Sequence, residues 1–332
     1  MIDNILDELF SLRTGKRREN IDDLKLIYAL LGKPCNSVKV IHIAGTNGKG
    51  STATFLENIL LEAGYNVGKF TSPHILRYNE RILYNRQMID DGEIVENYFF
   101  LKQMIENCKK ENENLKDIYL NFFEITTFIA LMFFAKKNPD FLVIETGLGG
   151  RLDATNIINS DIALITNITF DHTAILGNSL REIAYEKSGI IKNGELCIYA
   201  DSLPELEEEI NKKTENSVNI IKKYNDMEIE LDKINYRTVI KFQNNKFILP
   251  LFGKFQANNF LLAYETAKFY NIDNETIQNG VNKVYWPARF EFFSVEPSVI
   301  LDAAHNDDSI RKLTENLTEI YKRNEVIVIT SL

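Results

Sequence analysis

The residues best equipped for chemistry stand together as Gly45-Thr46-Asn47-Gly48-Lys49-Gly50-Ser51. Glycines let a backbone approach a ligand closely, and the amides that open a helix attract anions. With a lysine and a hydroxyl added, the segment suits a polyphosphate and its metal ion, Lys49 meeting the β/γ-phosphates and Ser51 the magnesium. The order departs from G-x-x-x-x-G-K-[ST], because Gly50 stands between the lysine and the hydroxyl. Glu145 closes the apolar run 141–146, and a flexible glycine-rich turn follows it. Magnesium prefers oxygen ligands in near-octahedral geometry, so Ser51 and Glu145, with phosphate oxygens and water, make a reasonable coordination set. His74, Arg77 and Arg81 fall in one polar segment and form a set able to bind an anion.

These groups need a scaffold that brings them together. Residues 38–44 form a short apolar strand, and residues 52–63 place Phe55, Leu56, Ile59, Leu60 and Ala63 on one helical face before Gly64 ends it. The spacing predicts amphipathic helices over 2–12 and 21–31, with the basic break Thr14-Gly15-Lys16-Arg17 between them. It continues with an apolar helix over 121–135, strands over 141–146 and 161–166, a helix over 180–187 and a strand over 196–200. Such alternation predicts an α/β fold, a parallel sheet with flanking helices, in which strand ends such as that of Glu145 converge on the phosphate turn. Between 227 and 251 the period shifts to two, predicting a small antiparallel hairpin, 236–242 with 247–251, turning at Asn244-Asn245. A helix over 256–270 follows, and then 299–303, 309–321 and 326–330 read as one βαβ unit. Two parallel strands and one helix cannot bury both faces of a sheet, so residues 1–293 are expected to form one domain and 294–332 the start of an incomplete second one.

Composition narrows the class. At 332 residues, 45% apolar and 26% charged, the chain reads as globular protein with ample core. A net charge of −9 argues against broad nucleic-acid or membrane-surface partners, which need a basic field. Three widely spaced cysteines without a CxxC pair, an acidic start and no apolar run long enough to span a bilayer predict a cytoplasmic protein with reduced thiols. A monomer is expected.

Residues 41–51, Ile41-His42-Ile43-Ala44 and the phosphate turn, resemble the P-loop of folylpolyglutamate synthase and dihydrofolate synthase, within the superfamily of Mur ligases. Thr71-Ser72-Pro73-His74-Ile75-Leu76-Arg77-Tyr78-Asn79-Glu80-Arg81-Ile82 is similar to that family's folate-site segment. The resemblance implies substrate contacts at Ser72, Pro73, His74, Arg77, Tyr78 and Arg81. Gly147-Leu148-Gly149-Gly150-Arg151-Leu152-Asp153-Ala154-Thr155-Asn156 is similar to a long family motif and adds Asp153 to that side. His172 resembles the family's metal-binding histidine, where residue type alone suggests an ordinary loop histidine. Lys187 resembles the lysine that the family converts to a carbamate, an oxygen ligand in place of a donor-only ammonium; by type alone it reads as a solvated helix residue. Gly253-Lys254-Phe255-Gln256-Ala257-Asn258-Asn259 resembles a segment near the adenine, implying nucleotide contacts at Gln256 and Asn259, with helix capping as the alternative.

Trp286-Pro287-Ala288-Arg289 is similar to the family linker that supplies an arginine to the ATP phosphates. Leu301-Asp302-Ala303-Ala304-His305-Asn306 resembles the opening of a Rossmann-like C-terminal domain, with Asp302 and His305 on the ribose and phosphate side and Ala303 where glycine is usual. Members of the family continue through further strands and helices, so a C-terminally truncated chain is expected. What the resemblance implies is an ATP- and Mg2+-dependent amide ligase that activates the carboxylate of a pteroate or folate as an acyl phosphate and joins it to L-glutamate. The alternatives are a Mur-type ligase of cell-wall precursors and a nucleotide- or folate-binding remnant without turnover. The turn alone also allows a P-loop kinase or GTPase; the lack of an N-K-x-D segment weakens the GTPase branch, and the ligase-like residues after Glu145 weaken both.

Overall fold

The computed structural model describes residues 2–12, 18–111 and 113–330; the basic break expected at 14–17 lies outside them. The main sheet has eight strands: β1 (Lys39–Ala44), β2 (Val67–Phe70), β3 (Ile82–Tyr84), β4 (Gln87–Met88), β5 (Phe141–Glu145), β6 (Ile162–Ile165), β7 (Leu196–Tyr199) and β8 (Ser217–Asn219). They run in the order β4-β3-β2-β5-β1-β6-β7-β8. The central strands are parallel and β5, β6 and β7 are buried along their whole length, which is why their sequences are continuous apolar runs. β1 lies between β5 and β6, with Ile43 opposite Glu145 and Ala44 opposite Ile165, so the chain leaves all three strands at one edge. That edge carries the phosphate turn.

Helices cover both faces. On one, helix Lys49–Glu62 and helix Gln256–Phe269 pack their buried Phe55 and Phe260 edge to face at 5.8 Å. On the other, helices Ile2–Ser11, Asp22–Leu30, Asp91–Glu111 and Phe122–Lys137 enclose a second core. Asn121 caps the last of these, accepting from the Glu124 amide at 3.0 Å while the Glu124 carboxylate accepts from the Asn121 amide at 2.8 Å.

Two expectations are corrected. The hairpin is a three-stranded sheet of β9 (Glu228–Asp232), β10 (Arg237–Phe242) and β11 (Asn245–Leu249), turning at Gln243-Asn244, both at positive φ (48° and 63°), one residue earlier than expected. The C-terminal βαβ unit does not form. β13 (Ser298–Leu301) pairs antiparallel with β12 (Glu291–Val295), helix Asp307–Ile320 follows, and residues 326–330 join no sheet. A short link lets adjacent strands close on each other at once, whereas a parallel partner needs a crossover and a sheet to receive it. The boundary expected between 293 and 294 falls inside β12.

Candidate active site

Beyond β1 the backbone passes through Gly45 (φ 147°) and Gly48 (φ 90°) before helix Lys49–Glu62 begins. Both positions exclude a side chain: a β-carbon on Gly45 would lie 1.8 Å from Thr166 Oγ1, and one on Gly48 would lie 2.2 Å from Asn259 Oδ1. The turn is stitched to the segment after β6. The Thr46 and Asn47 amides donate to the Asn167 carbonyl and side chain, each at 2.8 Å. Lys49 Nζ donates to the carbonyls of Gly45 and Thr46, both at 3.1 Å, and stands 3.9 Å from Glu145 Oε1.

Glu145 is 4% exposed, and its Oε2 accepts the Ser72 amide at 3.2 Å. Burial raises its pKa; Lys49, the Ser72 amide, Arg289 and Lys69 oppose that rise. One carboxylate thus touches both the phosphate turn and the segment expected to hold the substrate.

Lys187 is buried and donates to the Gly45 carbonyl at 2.6 Å. Burial, and then the neighbouring Lys49 charge, push its amine down to about 7. Its placement follows from Gly150 in the loop after β5 and Gly189 at the end of helix Leu180–Ser188, both required for contact rather than for flexibility. A β-carbon on Gly150 would lie 2.7 Å from the Lys187 carbonyl, and one on Gly189 would lie 2.3 Å from Arg151 Cβ. Arg151 ties the two segments together through its amide to the Glu186 carbonyl (2.7 Å) and its guanidinium to the Glu186 carboxylate (2.8 Å).

The phosphate turn, Glu145, Glu186 and Lys187 face one cleft of about 640 Å³, which also takes in Ser51, Ser72, Pro73, Arg81, Asp153, His172, Arg289 and His305. His172 is half-exposed, at positive φ (48°), with Nε2 3.7 Å from Asp171 Oδ1. Asp153 shapes the wall it stands on. Its carboxylate accepts from the Leu148 amide (2.8 Å), the Thr155 amide (3.0 Å) and the Thr155 hydroxyl (2.6 Å). Behind it, Thr155 Oγ1 meets buried His42 Nε2 at 2.8 Å; since the hydroxyl proton goes to Asp153, His42 is the donor. Asn259 and Asp302 line a smaller adjoining cavity with Gly48 and Arg289. Gln256 lies beneath, its Oε1 accepting from Asn259 Nδ2 at 2.9 Å, and Phe255 rather than a side-chain oxygen occupies the helix cap.

The anion set expected of His74, Arg77 and Arg81 is not assembled. The Glu80 carboxylate accepts the amides of Ile75, Leu76 and Arg77 at 2.7, 3.0 and 2.7 Å, and this tight turn leaves Arg77 exposed outside the cleft. Arg81 Nε donates to His74 Nδ1 at 2.8 Å, and His74 is not among the residues lining the cleft. Tyr78 is also outside the cleft, 2% exposed, its ring edge-on to Phe122 at 6.0 Å.

Sequence reasoning missed the aromatic wall, Phe122 and Phe123, and the Arg18–Glu124 pair beside it. A β-carbon on Gly147 would lie 2.6 Å from Phe123 Cζ, so this ring packs directly on the loop after Glu145. The signal was present in Asn121-x-x-Glu124, which marks a helix start and therefore an end facing solvent or ligand. It also missed Asn306 and Asp308 of the C-terminal segment, which accept from Asn47 Nδ2 at 3.2 and 3.0 Å.

Comparison with known proteins places this arrangement. Residues 43–267 match the family described as the Mur ligase middle domain. The chain is 34% identical over 323 residues to the dihydrofolate synthase/folylpolyglutamate synthase of Bacillus subtilis, covering 93% of this chain and 74% of that one. Among solved structures, an FPGS–AMPPCP–folate complex superposes with a TM-score of 0.87 at 27% identity, covering 97% of this chain and 81% of that chain. Escherichia coli FolC in complex with DHPP and ADP does so with a TM-score of 0.82 at 28% identity, covering 97% and 75%.

Proposed function

Because the chain belongs to the folylpolyglutamate/dihydrofolate synthase family of Mur ligases, ATP-dependent enzymes that add glutamate to folate or dihydropteroate, we propose the following division of labour within its cleft. The phosphate turn receives the triphosphate of ATP, with Lys49 and Arg289 facing the transferred phosphoryl group and Asn259, Asp302 and His305 on the nucleoside side. Phe122, Phe123 and Leu148 offer an apolar wall to an aromatic pterin, and Ser72, Arg81 and Asp153 its polar margin. The pterin-bearing substrate then presents its carboxylate between Ser72 and Glu145.

The donor set fits magnesium. Ser51 and Glu145 are oxygen donors on the cleft wall, and the burial that raises the Glu145 pKa marks a carboxylate whose desolvation Lys49 does not fully offset. His172 and Lys187 would complete the set if Lys187 were carbamylated, a reaction of the neutral amine toward which burial pushes this group. A bound magnesium ion would neutralise charge on the phosphoryl oxygens. Lys49 does the same from the protein side, and the turn's glycines keep the backbone amides within reach of the phosphates. Transfer of the γ-phosphoryl group to the substrate carboxylate gives an acyl phosphate and ADP. Attack by the glutamate amine then forms the amide and releases phosphate, so no protein nucleophile is needed. The enzyme is read as a cytoplasmic monomer: its net charge is −9, its three cysteines are unpaired, and no described helix is long and apolar enough to cross a membrane.

The observation that carries this reading is Glu145 bridging Lys49 and the Ser72 amide. It is tested by ADP and phosphate release with dihydropteroate or tetrahydrofolate, each with and without glutamate. Release that requires both a pterin substrate and glutamate is expected, and the better pterin names the specificity. Release indifferent to either would overturn the assignment.

A further inference from the structure

Trp286 is the only tryptophan of the chain, and the chemistry above does not use it. We propose that Trp286, seated on Gly50 and over the Lys69 ammonium, is a positioning residue that sets Arg289 over the phosphate turn. This rests on Arg289 being a phosphate contact.

The chain reaches Trp286 along the back of helix Lys49–Glu62. Gly280 packs so closely there that a β-carbon would lie 2.7 Å from both the Asn58 carbonyl and Ile59 Cα. At the start of the same helix a β-carbon on Gly50 would lie 2.7 Å from Trp286 Cζ2, so the indole rests directly on the phosphate turn. Lys69 Nζ stands 5.0 Å from the ring centroid. That ammonium is fixed from below, 2.5 Å from Glu57 Oε2 and 3.3 Å from Thr54 Oγ1, with side-chain exposures of 3% for Lys69 and 2% for Glu57. A desolvated, immobile cation attracts an aromatic face more strongly than a solvated one. The ion pair therefore acts as a fixed seat for the ring.

Downstream, Arg289 stands between two non-glycine residues in the left-handed region, Ala288 (φ 51°) and Phe290 (φ 50°). L-residues rarely adopt that conformation unless surrounding contacts impose it. Those contacts are present: the Ala288 amide donates to Glu291 Oε2 at 2.8 Å, the Phe290 amide to Asp302 Oδ2 at 2.8 Å, and the Ala303 amide to the Ala288 carbonyl at 2.9 Å. Arg289 is thereby held on one side by the β12–β13 hairpin and on the other by Trp286. The hairpin side reaches the turn through Asn306 and Asp308, which accept from Asn47 Nδ2, whereas Trp286, three residues before Arg289, packs on Gly50 itself. Without the ring, the arginine keeps its local backbone shape but loses its register against the triphosphate.

The test is calorimetric binding of AMPPCP with magnesium to the full chain and to Arg289→Ala, Trp286→Leu, Trp286→Phe and each Trp286 variant combined with Arg289→Ala. Arg289→Ala should weaken binding about tenfold to hundredfold, the range of a charge-assisted contact. Trp286→Leu should lose about tenfold, Trp286→Phe less, and neither should weaken binding by more than about twofold once Arg289 is already alanine. Losses that multiply in the double variants would show that Trp286 acts independently of Arg289, and the proposal would fall. If Trp286→Leu does not fold, the Trp286→Phe pair decides alone. An unchanged affinity in Arg289→Ala by itself would instead remove the phosphate role of Arg289 and the proposal with it, a failure visible in the single variant.

Discussion

Replacing Gly48 with alanine tests the geometry of the phosphate turn most directly, because the cost can be worked out from two independent features. Gly48 sits at φ 90°, and an L-residue pays about 1–2 kcal/mol to enter the left-handed region. The new β-carbon would lie 2.2 Å from Asn259 Oδ1, so the amide must swing away. That movement breaks the 2.9 Å bond from Asn259 Nδ2 to Gln256 Oε1, worth about 1 kcal/mol. Together these come to about 2–3 kcal/mol. If the turn relieves the strain by leaving its nucleotide-ready shape, AMPPCP affinity should fall about 30- to 150-fold. If it holds that shape, the cost appears in the fold, and a cooperatively unfolding chain of this length should melt about 3–4 °C lower. Calorimetric titration and scanning calorimetry on the same sample measure both. Combining Gly48→Ala with Asn259→Ala removes the collision and leaves only the conformational cost of about 1–2 kcal/mol relative to Asn259→Ala. Affinity within about twofold of the parent together with an unchanged melting temperature would refute the reasoning, since a β-carbon cannot occupy this turn without one cost or the other.

Glu145→Gln keeps the shape but removes the charge opposite Lys49, so turnover measured by ADP release should fall about a hundredfold or more with the circular dichroism spectrum unchanged; a loss below tenfold would remove Glu145 from the phosphoryl-transfer site. Lys187, whose amine burial brings to about 7, should show a carbamate carbon by NMR after incubation with ¹³C-bicarbonate, and Lys187→Met should lack it; a parent protein without that signal would sink the carbamate assignment. Glu195 is held by burial at about 7, above its ordinary 4.5, so the folded state binds its proton more tightly and stability falls as pH rises through that window. Glu195→Gln should therefore narrow the drop in melting temperature between pH 5 and pH 8, and an unaltered drop would show that another group causes it.

What the sequence made legible follows from whether each demand was local. The strands carrying Ala44, Glu145 and Ile165 were readable because burial on both faces forces continuous apolar runs, and the glycines of the phosphate turn because the backbone itself needs them. Helix Asp91–Glu111 was not readable, since Phe99 and Phe100 remain about half exposed (49% and 57%) and blur its apolar stripe. β8 was missed because its Ser217, Val218 and Asn219 are only partly buried at a sheet edge. Residues 326–330 erred the other way: Val326-Ile327-Val328-Ile329 has the residue types of a strand, but a strand exists only where a neighbour pairs with it.

The same distinction separates the site residues. Arg77 and Arg81 are alike by type and four positions apart, yet one faces solvent and the other the cleft, because Glu80 gathers three successive amides and closes the turn between them. Lys187 shows the converse. Its own helix gives it no reason to be buried, and what buries it is Gly150, 37 positions upstream, where even a methyl group would collide with the Lys187 carbonyl at 2.7 Å. The glycines after Glu145 therefore read as flexibility in the sequence but act as contact surfaces in the fold. They let the loop lie against the helix closely enough to bring a lysine amine within 2.6 Å of the phosphate turn, and that proximity to Lys49, added to burial, is what lowers the amine toward neutrality.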